Sequence, residues 1–161
     1  MMKIAINSSP LIFLVKLQFL ELFLDSDDQF YIPPAVLEEI EAKSDEVSLA
    51  ILPLIKAGKL QVVSTRLFSL VNRLNLNLGR GESEAISLAT ELQADFTILD
   101  DRAARKMAIN LGLNVKGTLA IIKKLSQEDK ITINNLDEFY QRLRQINFRV
   151  SRSIFDTLFT K

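Results

Sequence analysis

Two aspartates follow directly on an apolar run, Phe96-Thr97-Ile98-Leu99 leading into Asp100-Asp101. A continuous apolar segment flanked by helical patterns reads as a strand of a parallel sheet covered on both faces. Ligand sites in such sheets lie just beyond the carboxyl ends of the strands. Asp100 is the stronger site candidate of the two, because Asp101 also suits the N-cap of the helix that follows. Upstream, Gly79-Arg80-Gly81-Glu82-Ser83-Glu84 opens a helix whose buried face is marked by Ala85, Ile86, Leu88, Ala89 and Leu92. Glu82 lies nearer that face than Glu84 and so points inward, where a solvated carboxylate would point out. The plain alternative is a charge favoured by the positive end of the helix dipole. In the helix over residues 34–43, Val36, Leu37 and Ile40 mark the apolar face, and Glu39 and Glu41 flank it. Periodicity does not choose between those two, and each also reads as solvated. Asn7 and Ser8 follow the first strand at the same rim, with a helix cap as the alternative.

Together, Asn7, one of Glu39 or Glu41, Glu82 and Asp100 would converge on one oxygen-rich pocket. Gathered carboxylates repel one another unless a proton or a cation offsets them. A magnesium or manganese ion would do so and would activate water for attack on a phosphodiester. Arg80, Arg102, Arg105 and Lys106 flank the proposed rim and suit backbone phosphates, although each alone also reads as solvated helix surface.

The absences narrow the chemistry further. The 161 residues contain no cysteine and no histidine. That excludes a disulfide framework, a thiolate zinc site, a cysteine nucleophile and a Ser-His-Asp triad. An oxygen-only donor set suits magnesium, manganese or calcium rather than zinc or copper. Twenty basic and twenty acidic side chains give a formal net charge of zero, so any nucleic-acid partner must be met by a local patch. Gly79-Arg80-Gly81-Glu82 has neither the glycine spacing nor the preceding strand of a phosphate-binding fingerprint. Ser8 and Ser9 lack a histidine base, and Phe68, Phe139, Tyr140 and Phe148 read as core.

The elements that must position these residues alternate. Strands are expected at residues 4–6, 30–32, 60–63, 96–99 and 113–115. Helices are expected within residues 11–23, from Pro33-Pro34 to about Lys43, over 46–56 up to Gly58, within 67–78, and from Gly81 to the fourth strand. Further helices should span 102–111, 118–125, 133–146 and 151–159. This pattern predicts one α/β domain, a three-layer α/β/α sandwich with a mostly parallel sheet of about five strands. Its core should span about 3–125, and a helical tail about 131–161. The apolar start is interrupted by Pro10, Lys16, Gln18 and Glu21, which reads as buried strand plus helix rather than a leader or a membrane span. A cytoplasmic location is the default.

The blocks NSSPLIFL, IPPAVLEEI, LGRGESEAISLA, DFTILDDRAARKMA and LGLNVKGTLAIIKK occur in that order. In order and spacing they resemble the PIN-domain superfamily, in its bacterial and archaeal PIN-like branch related to VapC toxins, over nearly all of residues 3–125. The resemblance implies an α/β/α sandwich and a magnesium- or manganese-dependent endoribonuclease. It places the acidic site at Asn7, Glu39, Glu82 and Asp100, and so prefers Glu39 to Glu41. It leaves Asp101 and Glu84 as contacts around the metal or its bound water, and Asp101 is counted with the metal set. Ser8, Arg80, Arg102 and Arg105 are the candidate RNA contacts by their place at the rim. It also implies a small antitoxin partner and self-association as a homodimer. The family pattern has aspartate where this chain has Asn7. An amide oxygen ligates a cation without bringing charge, so weaker metal binding is expected. The alternative function is therefore a catalytically weak or inactive PIN-like module that binds RNA or protein. A nucleotide-binding α/β protein of unrelated chemistry is the third reading.

Overall fold

The computed structural model describes residues 1–43 and 45–159, residue 45 by its backbone alone. Five strands form one sheet: β1 (Lys3–Ile6), β2 (Gln29–Ile32), β3 (Gln61–Val62), β4 (Phe96–Ile98) and β5 (Val115–Lys116). Their order is β3-β2-β1-β4-β5 and every neighbouring pair is parallel, so the sheet is wholly rather than mostly parallel. β1 sits in the middle because its Ile4, Ala5 and Ile6 carry no polar group and are fully buried. The chain steps from β1 outward to β2 and β3, then crosses back to β4 and β5. Right-handed crossovers in opposite directions cover opposite faces of a sheet, giving the α/β/α sandwich.

On the outward steps lie α1 (Ser8–Lys16), α2 (Leu20–Leu24), α3 (Pro34–Lys43) and α4 (Asp45–Lys56). On the return lie α5 (Phe68–Leu74), α6 (Arg80–Leu92) and α7 (Arg102–Asn110). Ile86 of α6, Leu74 of α5, and Ala104 and Ala108 of α7 close over Leu99 at the end of β4 in one apolar cluster. The small side chains of α7 let it approach the sheet closely. Leu113, expected in a strand, packs against this cluster instead, and β5 begins two residues later. Phe68, expected in the core, is 69% exposed, because α5 turns Leu70 and Leu74 inward.

The chain divides into two compact units, Met1–Thr118 and Leu119–Lys161. The second holds α9 (Leu136–Gln145) and α10 (Arg152–Phe159), together with all of α8 (Thr118–Gln127) except its first residue. In it Phe139, Tyr140, Phe155 and Phe159 stack at centroid distances of 4.9–6.2 Å. Arg152 ties Asp137 to Asp156 beside them. Among the described residues no helix is long and apolar enough to cross a membrane.

Candidate functional site

The strand order reverses between β1 and β4, which makes the crevice beyond their carboxyl ends the topological switch point. Ile6 pairs with Ile98, so Asn7 and Leu99 leave the sheet side by side, and the Asn7 N–H donates to the Ile98 carbonyl at 3.1 Å. Asn7 is the N-cap residue of α1, yet its side chain makes no capping bond. It is 4% exposed, and its Oδ1 is buried with no hydrogen-bond partner. A cap does not explain this side chain; a buried acceptor left without a donor at a switch point suits a cation or a ligand donor. Next to it, the Ser8 hydroxyl donates to Glu39 Oε2 at 3.2 Å.

Glu39 reaches this rim from α3. A Cβ built on Gly81 would lie 1.6 Å from Glu39 Oε1, so the carboxylate occupies the space that any other residue at 81 would fill. Lys43, one turn on, sits 3.8 Å from Glu39 Oε2. Glu41 is exposed.

Glu82 stands in the first turn of α6, where the Gly79 N–H donates to its Oε1 at 3.3 Å. Burial holds its carboxyl above the usual range, and the charges of Asp101 and Glu39 push it the same way. The Gly79 bond and Lys43 act against them. Glu82 is thus the group on which the Asp101 and Glu39 charges meet. Glu84 faces elsewhere, accepting from the Ala35 N–H at 3.3 Å and from Arg80 Nε at 3.0 Å, and so pins α6 to the start of α3.

Of the two aspartates after β4, Asp101 takes its expected place as a cap, whereas Asp100 is engaged by a residue of a later strand-helix junction. Asp101 caps α7, accepting from the Ala104 N–H at 2.9 Å, while its charge acts on Glu82. Asp100 has both oxygens engaged by one residue. Oδ1 accepts from the Thr118 N–H at 2.8 Å and Oδ2 from the Thr118 hydroxyl at 2.6 Å. Burial raises the Asp100 carboxyl, while the two Thr118 bonds and then Arg105 lower it. Arg105 bonds the Leu99 carbonyl at 3.0 Å, and a Cβ on Gly117 would come within 2.6 Å of its Nη1.

Of the expected phosphate contacts, Arg80 pairs with Glu84 and Glu38, and Arg105 turns inward, while Arg102 is exposed. The site thus brings Asn7, Ser8, Glu39, Glu82 and Asp101 into one neighbourhood, with Asp100 in its wall. Lys43, Gly81, Gly117 and Thr118 belong to it as well and were not singled out by composition or periodicity. The one available signal for the glycines and for Thr118 was the pairing of a glycine with the polar residue after it, Gly81-Glu82 and Gly117-Thr118. Among the described residues no three acidic side chains come together closely enough to hold a cation by themselves. The donor set still fits a hard divalent cation in kind: it is all oxygen, includes the unpartnered Asn7 amide, and holds a carboxyl that its neighbours make costly to ionise.

An open parallel α/β sandwich with carboxylates gathered at its switch point defines the class to which this molecule conforms. A family model described as PIN domain matches residues 3–161, and the chain belongs to that family. No curated protein matches it. The chain is thus a nuclease-type module, from a family whose members generally use divalent metals and commonly bind RNA.

Proposed function

We propose that this chain is a magnesium- or manganese-dependent endoribonuclease of PIN type. In this reading Glu39, Glu82 and Asp100 are the catalytic carboxylates, and Asn7 and Asp101 complete the oxygen set around the cation. The observation that carries the reading is the seating of the Glu39 carboxylate against Gly81, beside a Glu82 carboxyl raised by burial and by like charge. Such crowding costs stability in the absence of a counter-charge, and it persists here at the switch point.

Each residue then has a task. Ser8 and Lys43 orient Glu39 from two sides. Glu82, whose carboxyl is raised by burial and by the charges of Asp101 and Glu39, takes and returns a proton at the reacting water. Asp100, held rigid by Thr118, keeps negative charge fixed in the wall. Exposed Arg102 meets the RNA backbone. When bound, magnesium or manganese would supply an activated water and positive charge for the phosphoryl transition state.

The proposal extends to the toxin of a toxin–antitoxin pair, acting in the cytoplasm, with a small antitoxin partner and a homodimeric state. Its support is the sequence resemblance and the cysteine-free composition. Growth arrest on expression, relieved by the protein of an adjacent short gene, is its test.

The second reading, a catalytically weak or inactive RNA- or protein-binding module, draws on three observations. Position 7 brings no charge, both Asp100 oxygens are engaged, and no three described acids converge. Incubation of unstructured RNA with the protein and manganese separates the two. Cleavage that Glu82→Gln abolishes supports the nuclease. Cleavage that survives Glu82→Gln overturns this site. Silence from the native chain with cleavage gained in Asn7→Asp supports the module.

A further inference from the structure

The second unit contains a cleft that the nuclease reading does not use. It lies where α9 ends and the chain turns into α10, has a volume of about 740 Å³, and is lined by Arg144, Arg149, Asn147, Ser151 and Tyr140, with buried Phe148 as its floor. That volume falls in the range of ordinary ligand sites. The turn itself is well made. Asn147 takes the left-handed conformation at φ +64°, its N–H bonds the Arg144 carbonyl at 3.0 Å, and the Phe148 N–H bonds the Leu143 carbonyl at 2.9 Å. The Tyr140 hydroxyl donates to the Val150 carbonyl at 2.7 Å and fixes the opposite wall.

The charges of this cleft are unbalanced. No carboxylate lines it. Arg152, just beyond it, is satisfied by Asp137 and Asp156. Arg144 and Arg149 are both exposed, and among the described residues neither has an ion-pair partner. Two guanidinium forks at one cleft without a carboxylate of its own suit an oxyanion, and they match phosphate oxygens bidentately. The wider charge pattern agrees. Residues 119–161 carry eight lysines and arginines against five acids, a net charge of +3, whereas the whole chain is neutral. The first unit, which holds the carboxylate site, is correspondingly acidic, so backbone phosphates find their attraction in the second.

We infer that the Arg144–Arg149 cleft is a phosphate-binding subsite for single-stranded RNA, separate from the carboxylate site. Two successive backbone phosphates engage the two arginines, and the Asn147 amide and Ser151 hydroxyl offer neutral hydrogen bonds beside them. The choice of RNA over another phosphate-bearing ligand rests on the nuclease reading. Binding is therefore measured apart from cleavage.

The test uses the full chain, a fluorescein-labelled single-stranded 12-mer of uridine, and EDTA, with anisotropy followed across salt concentrations. Each phosphate contact to a single strand contributes a log–log salt slope of about 0.7, so the Arg144→Gln/Arg149→Gln double variant should lose roughly 1.4 of slope. Its affinity at low salt should fall at least tenfold, while Arg144→Lys/Arg149→Lys retains the slope. Unchanged melting temperatures establish that the variants are folded. An unchanged slope in the glutamine variant overturns the inference, as does tight binding of an acidic peptide with none of the RNA. RNA left uncut when manganese replaces EDTA would sink the nuclease reading, while arginine-dependent binding in EDTA would leave this subsite standing.

Discussion

The Glu39 carboxylate occupies the volume that a side chain at Gly81 would need, with Oε1 only 1.6 Å from the place of a Cβ. Helix α6 therefore carries a glycine in its first turn, where alanine would be the better helix former, because a carboxylate from α3 has to come that close to its backbone. This single contact joins the two acidic helices at the switch point.

Gly81→Ala is the direct test. On helix propensity alone the change should stabilise by up to about 1 kcal/mol. The atom in the way is the end of a partly exposed side chain, which can swing aside, so the melting temperature should move little. The site should suffer instead. Metal-dependent cleavage of RNA should fall by more than tenfold, and calorimetry should show weaker manganese binding. Retained cleavage would mean that the position of Glu39 does not matter to the reaction.

Glu82 gives a prediction in pH. Its carboxyl is raised in the folded chain, first by burial, then by Asp101, with Glu39 adding to it. The folded state thus holds a proton that the unfolded state has released, and stability falls as pH rises from the ordinary carboxyl range through the folded value. Glu82→Gln removes that slope while keeping an acceptor for the Gly79 N–H. The variant should melt higher than the native chain at neutral pH and converge with it at acid pH. Manganese should narrow the gap at neutral pH by stabilising the native chain more. Parallel melting curves across pH would contradict the assigned cause.

How much of this was legible in the sequence differs from residue to residue. The parallel sheet and the order of its elements were readable, because apolar runs and helical periodicity are local signals. So was the capping role of Asp101, which depends on a residue three positions on. The engagement of Asp100 was not. Its partner Thr118 lies 18 residues away and reaches it only because β5 pairs with β4 in the register Ile98 to Lys116. Glu39 and Glu41 looked alike for a similar reason. What separates them is contact with Ser8 and with the backbone at Gly81, and periodicity carries no information about a glycine on another helix. Arg80 and Arg105 looked like phosphate contacts for the same reason, although their partners are Glu84, Glu38 and the Leu99 carbonyl.

Thr118→Val tests the wall. The swap keeps the shape and the backbone N–H but strips the hydroxyl from Asp100 Oδ2, leaving a largely buried carboxylate oxygen without its donor. A loss of about 1–3 kcal/mol is expected in chemical denaturation. The sign of its pH dependence follows from the same bond. The Thr118 contacts hold the Asp100 carboxyl down against burial, so removing one raises it further. The destabilisation should therefore be largest at neutral pH and shrink toward acid, where a protonated Asp100 needs the donor less. A loss that is flat in pH would mean that packing, not the bond, accounts for it.

Asn7→Asp decides what the site lacks. Position 7 is almost fully buried, its Oδ1 is already without a partner, and the adjoining Ser8 bonds Glu39, whose charge meets that of Asp101 on Glu82. A carboxylate there would be desolvated and repelled, so the metal-free variant should be less stable than the native chain at neutral pH and should recover as the pH falls. The same change gives a divalent cation one more charged oxygen at the switch point. Stabilisation by a ligand grows with its concentration over its dissociation constant, so manganese should raise the melting temperature of the variant by more than that of the native chain. If the chain is a nuclease weakened at this position, RNA cleavage should rise along with that thermal shift. A larger thermal shift without cleavage would separate metal binding from catalysis and favour the binding-module reading. A variant that is destabilised and gains nothing from manganese would remove Asn7 from the site altogether, since no cation would then be drawn to the place where its amide points.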